Sequence, residues 1–63
     1  MKKWAIEIKL KKEKYTRTYY NISRDKFGLT DNGIYINIGG RYYKVIDIYF
    51  EDIEYFRIIE QGE

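Results

Sequence analysis

Residues 3–11 alternate strictly. Trp4, Ile6, Ile8 and Leu10 fall on one side of an extended chain, and Ala5, Glu7, Lys9 and Lys11 on the other. A period of two is the pattern of a strand with one buried face. The rest of the chain must supply the other walls of that core, and it is short. Its 63 residues make one domain, 1–63. A domain of that size buries only about 60% of its unfolded surface. There is no Cys, hence no disulfide, so apolar burial must offset the ordering cost. Eleven Ile, eight Tyr, three Phe and one Trp provide it, at about 1.5–3 kcal/mol for each large side chain fully buried. This β-branched and aromatic bias favours sheet.

Residues 15–22 form a second alternating run. Thr16, Thr18, Tyr20 and Ile22 share one face, and Tyr15, Arg17, Tyr19 and Asn21 the other. A three-residue turn, Lys12-Glu13-Lys14, pairs Leu10 with Thr16, Ile8 with Thr18, Ile6 with Tyr20 and Trp4 with Ile22. That register keeps one face apolar, whereas a two-residue turn sets Ile8 opposite Arg17. On the outer face it opposes Lys9 to Arg17, a mildly destabilising pair of like charges.

Ser23 to Gly28 reads as one helical turn, with Ser23 as N-cap and Gly28 just past its end. Phe27 and Leu29 are expected to close one end of the core. Thr30-Asp31-Asn32-Gly33 is a turn in which Asn-Gly supplies positive φ angles. Residues 34–38 are a third strand, Gly39-Gly40 a two-residue hairpin signal, and residues 41–50 a fourth strand. A two-residue loop puts Tyr43 and Val45 with the Ile34/Ile36 face, yet Ile46, Ile48 and Phe50 are the stronger apolar set. A bulge near Val45-Ile46 and a sheet covered on both faces remain open. Residues 53–61 read as a fifth strand by composition, with a short helix from Asp52 as the alternative.

The expected fold is therefore mainly β: a small antiparallel five-stranded meander or partly closed barrel, with one short helical turn between strands 2 and 3. By architecture it is analogous to SH3-like or OB-like barrels.

The charge is uneven. Residues 1–26 hold nine Lys/Arg against three Asp/Glu, +6, and residues 27–63 three against seven, −4. Either the two halves face each other in neighbouring strands or the first presents a cationic face. No apolar run is long enough to span a membrane. The basic start is followed by Glu7 and Lys9 within the apolar run, unlike a signal peptide, so the expected compartment is the cytoplasm. The AT-rich codons of the abundant Ile, Lys, Tyr and Asn suit a low-GC bacterium, its phage or a thermophile, and a small binding domain of this kind also suits a mobile element.

No His or Cys is present to form a nucleophilic triad or a soft-metal site, and no metal or other cofactor is expected. Asp47, Glu51, Asp52 and Glu54 read as a solvated acidic rim. Gly39-Gly40 lacks the spacing of a phosphate loop, and Asp31-Asn32-Gly33 lacks the remaining ligands of a calcium loop. The reading is a non-enzymatic binding protein. Its candidate contacts are Lys9, Lys11, Lys12, Lys14, Tyr15, Arg17 and Tyr19 of the first hairpin, with Arg41 and Tyr42 of the second. Tyr and Arg are enriched at interface hot spots, and clustered cations steer anionic partners. An inhibitor or accessory module docking on an acidic protein surface is expected first. A nucleic-acid-binding barrel using the same face is the alternative, and self-association through an uncovered strand edge is a third reading.

Overall fold

A computed structural model describes residues 2–39 and 44–62. Six strands follow in order: β1 (Lys3–Leu10), β2 (Arg17–Ile22), β3 (Phe27–Leu29), β4 (Gly33–Asn37), β5 (Val45–Tyr49) and β6 (Ile53–Gly62). Single 3-10 turns lie between β2 and β3 (Arg24–Lys26) and between β5 and β6 (Phe50–Asp52). The strands form two three-stranded antiparallel sheets, β2-β1-β6 and β3-β4-β5. The protein is mainly β, with a helical turn after β2, as its sequence leads one to expect. The five-stranded meander is not what forms. The last strand leaves β5 and returns to β1, and the described strands close no barrel. Among the described residues no helix is long and apolar enough to cross a membrane.

Both sheets feed one core. Ile6, Ile8, Leu10, Ile22 and Ile53 come from the first sheet, and Phe27, Ile34, Ile36 and Ile48 from the second. Trp4 of β1 meets Phe27 of β3 edge-to-face, ring centroids 6.2 Å apart. The β1 alternation thus points inward as expected. The C-terminal segment is a strand because it supplies the second wall of β1, setting Ile58 beside Ile6 and Phe56 beside Ile8. Leu29, expected in the core, is exposed.

The first hairpin corrects the expected register. Trp4 does face Ile22, but Ile6 faces Tyr19, Glu7 faces Thr18 and Ile8 faces Arg17. An extra β2 residue is absorbed between the Trp4 and Ile6 pairs, and Asn21 there sits in the left-handed region with φ 57°. This is a β-bulge, and it reverses the phase of β2 on either side of it. Tyr19 therefore packs against the core, while Tyr20 is exposed. Arg17 avoids the core by turning back along the hairpin to Glu13. The displaced Asn21 N–H is satisfied by Gln61 Oε1 at 2.8 Å. A β-branched residue is disfavoured in this conformation, so Asn21→Val is expected to cost about 1–2 kcal/mol, with Asn21→Gly near neutral. Equal urea midpoints for the two variants would show that the bulge does not need this backbone conformation.

The other turns differ in detail. Ser23 makes no side-chain cap and instead accepts a hydrogen bond from Lys3 Nζ at 3.0 Å. Gly28 is not a helix end but the middle of β3. Neither Asn32 nor Gly33 has a positive φ. Their turn is held by Thr30, whose hydroxyl accepts from Gly33 N at 3.0 Å and whose N–H donates to Gly33 O at 2.8 Å. In the second hairpin Asn37 faces Val45, Ile36 faces Ile46 and Ile34 faces Ile48. With Ile38 N donating to Lys44 O at 2.9 Å, this register is longer than the expected two-residue turn would set. The longer connection lets Ile46 and Ile48 join the Ile34/Ile36 face, which buries more apolar surface than Tyr43 and Val45 would. Its residues 40–43 lie outside the described residues.

Candidate functional site

The first hairpin divides its candidate residues into two groups. Lys9 is drawn inward: its side chain is 15% exposed, 3.6 Å from Glu54 Oε2, and donates to Leu10 O at 2.9 Å. It does not face Arg17, so the like-charge apposition expected from the sequence is absent. The β1–β6 pairing supplies Lys9 with a carboxylate instead. Arg17 is also engaged, with its Nη2 2.6 Å from Glu13 Oε2. That bond holds the Glu13 carboxyl below its ordinary 4.5 and the Arg17 guanidinium above its ordinary value. Tyr19 lies partly in the core. The second group is the tip. Lys11, Lys12 and Lys14 are exposed and make no ion pair among the described residues. Tyr15 is 81% exposed. Arg41 and Tyr42 lie outside the described residues.

Two backbone hydrogen bonds set the surroundings of this tip. Lys11 N donates to Asp52 O at 3.0 Å, and Phe50 N donates to Asn32 O at 2.8 Å. They tie the tip of the first hairpin, the 3-10 turn before β6 and the Thr30–Gly33 turn into one end of the molecule. Lysines and carboxylates therefore share a surface: Lys11, Lys12 and Lys14 with Asp31, Glu51 and Asp52, all exposed. Aromatic surface is interspersed, from Tyr15, Tyr49 and Phe50. Phe50 is fixed by stacking on Phe56, ring centroids 6.1 Å apart. Two shallow hollows flank the junction. One of about 340 Å³ is lined by residues 13–17, and one of about 410 Å³ by Asp31, Asn32, Tyr49, Phe50 and Glu51. Loops held by a rigid sheet scaffold, mixed in charge and aromatic, are a common form of binding surface.

The outer face of the β1–β6 pair, by contrast, is neutralised internally. Arg57 grips Glu7 through Nε and Nη2 at 3.1 and 3.3 Å, and Lys2 lies 3.3 Å from Glu60. The Tyr55 hydroxyl lies 2.7 Å from Thr16 Oγ1 across the sheet. Lys2–Glu60 and Lys9–Glu54 set cations of the basic first half against carboxylates of the acidic second half, while Glu7–Arg57 runs the opposite way.

The acidic corner beside the lysines was not visible in the sequence, since Asp52 is far from Lys11 along the chain and only the β1–β6 pairing joins them. Of the acidic rim, Glu54 is the Lys9 partner, and Asp47, Glu51 and Asp52 are exposed. The described residues contain no group of side chains arranged to hold a metal. Compared with known proteins, the chain matches no family model, no curated protein and no solved structure.

Proposed function

We propose that this protein is a non-enzymatic binding module, an inhibitor or accessory component, that docks on a larger protein through its loop-built end. Lys11, Lys12 and Lys14 meet acidic groups of the partner, and Tyr15 supplies the apolar anchor. The observation that carries this reading is the 3.0 Å bond from Lys11 N to Asp52 O. It sets carboxylates beside the lysines, and a nucleic-acid backbone would be repelled where a protein surface of mixed sign would not.

Two measurements separate these partners. Fluorescence anisotropy with single- and double-stranded oligonucleotides is expected to show no binding at low salt. A slope of log K against log salt of about −3, the value for three lysines on duplex phosphates, would transfer the site to nucleic acid. In the second, the wild-type protein and its Tyr15→Ala and Lys12→Glu/Lys14→Glu variants are used as bait in host lysate. Tyr15→Ala is expected to weaken the captured complex by about tenfold or more, with a smaller effect of the charge reversal. Capture that is indifferent to both variants would place the contact elsewhere.

A further inference from the structure

The fold leaves a slot at the end opposite the β1–β2 tip. β2 is an outer strand of its sheet. Among the described residues its one backbone group paired outside the β1 ladder is Asn21 N–H. Across from it, β3 begins at Phe27, opposite Ile36, so among the described residues no strand pairs on that side with Asn37 at the end of β4 or with Ile38 and Gly39 beyond it. Between these two edges lies a cleft of about 480 Å³, whose walls include Thr18, Tyr19 and Tyr20 of β2, and Asn37 and Ile38. Among the described residues its single charged lining residue is Lys26, which is exposed and makes no ion pair with any of them.

We infer that this slot receives an extended, acidic segment of a partner protein, which adds as a strand along β2. An unpaired strand edge offers backbone donors and acceptors to any extended chain, and the side chains beside it select among them. Pairing runs along Arg17–Tyr20, because the Asn21 bulge turns the remainder of the edge away. Alternate residues of the added strand point into the slot against Tyr19 and Ile38, and a carboxylate on it meets Lys26. Lys3, whose Nζ lies 3.0 Å from Oγ of the slot-lining Ser23, adds positive charge at the same end. This inference rests on the protein being a binding module but uses a surface separate from the loop-built end, and the two can fail independently.

The test begins with amide hydrogen exchange of the free protein over a range of concentrations. The β2 amides that point away from β1 are expected to exchange fast at every concentration. Slowing with concentration would mean that a second copy fills the edge, and overturn the proposal. A displayed library of random decapeptides is then selected on the immobilised protein. Expected are sequences alternating β-branched residues with Asp or Glu, one of which, as a free peptide, slows exchange in β2. N-methylation of its alternate amides should abolish binding. Lys26→Glu should weaken it about two- to fivefold, the range for an exposed ion pair, and Tyr15→Ala should leave it unchanged. Failure to enrich any such sequence, or unchanged binding after N-methylation, overturns strand addition. Loss of binding on Tyr15→Ala also overturns it, and returns the peptide to the loop-built end.

Discussion

Gly33→Ala is expected to destabilise the protein by about 3 kcal/mol or more, although it adds a single methyl group. A Cβ on Gly33 would lie 2.1 Å from the Ile48 carbonyl oxygen and 2.9 Å from Tyr49 Cα. Both are backbone atoms of the paired strand β5, and neither can rotate away. Accommodation requires β5 to move off β4 at the Gly33–Tyr49 end of the ladder. Overpacking of this kind costs about 1–3 kcal/mol. The shift also strains the hydrogen bonds between Thr30 and Gly33, about 1 kcal/mol each. The stiffer unfolded chain returns only about 0.4–1 kcal/mol. The total is a large part of the stability of a chain this short, which is about 3–9 kcal/mol at the usual value per residue. Urea unfolding followed by Trp4 fluorescence measures it. A midpoint within error of wild type would mean that β5 does not approach Gly33 so closely.

Gly33 also shows where sequence reasoning stops. Asn-Gly is a familiar turn pair, and positive φ is the usual reason for its glycine. Here the glycine is needed for a close approach from a strand some fifteen residues away, about which the local sequence is silent. The same limit explains both hairpins. β1 was legible because its alternation is unbroken and its buried face is wholly apolar. In β2 the adjacent Tyr19 and Tyr20 suit either face equally, so the pattern carries no sign of the bulge at Asn21. In the second hairpin the Gly-Gly signal and the burial of Ile46 and Ile48 disagreed, and burial decided the register. Weighing isoleucine above tyrosine would have resolved that ambiguity, since each buried methylene contributes about 0.8 kcal/mol. The return of β6 to β1 left no local trace, because neither strand's own pattern says which neighbour it will take.

The candidate site followed the same division. The exposure of Lys11, Lys12, Lys14 and Tyr15 could be read directly from a turn with no apolar residue to bury. The partners of Lys9 and Arg17 could not. Sequence proximity sets Lys9 beside β2, yet its ion partner is Glu54 of β6. With Lys9 paired to Glu54 and Arg17 to Glu13, the cations of the first hairpin that make no ion pair among the described residues are those of the tip, Lys11, Lys12 and Lys14. The acidic corner, brought beside Lys11 by β6, then sets that tip in a surface of mixed sign.

Ile6→Ala and Ile36→Ala are each expected to cost about 2–5 kcal/mol, and their comparison tests whether the two sheets stand or fall together. Ile6 and Ile36 are each 0% exposed, one in the central strand of each sheet, and belong to one contiguous cluster. Among the described residues neither three-stranded sheet has an apolar cover other than its counterpart. A cavity cut into one sheet therefore weakens the only wall that the other packs against. Trp4 reports on that contact, since its ring in β1 meets Phe27 in β3, and amide exchange in β5 reports on the far sheet. In both variants the Trp4 transition and the loss of β5 protection are expected to shift together, as one cooperative unit requires. The milder Ile6→Val, at about 0.5–1.5 kcal/mol, keeps the comparison measurable if alanine leaves too little folded protein. Retained β5 protection in an Ile6→Ala protein that has lost its Trp4 signal would divide the chain into two units. A near-neutral Ile6→Ala would instead reject the inward face of β1, the alternation from which the fold is read.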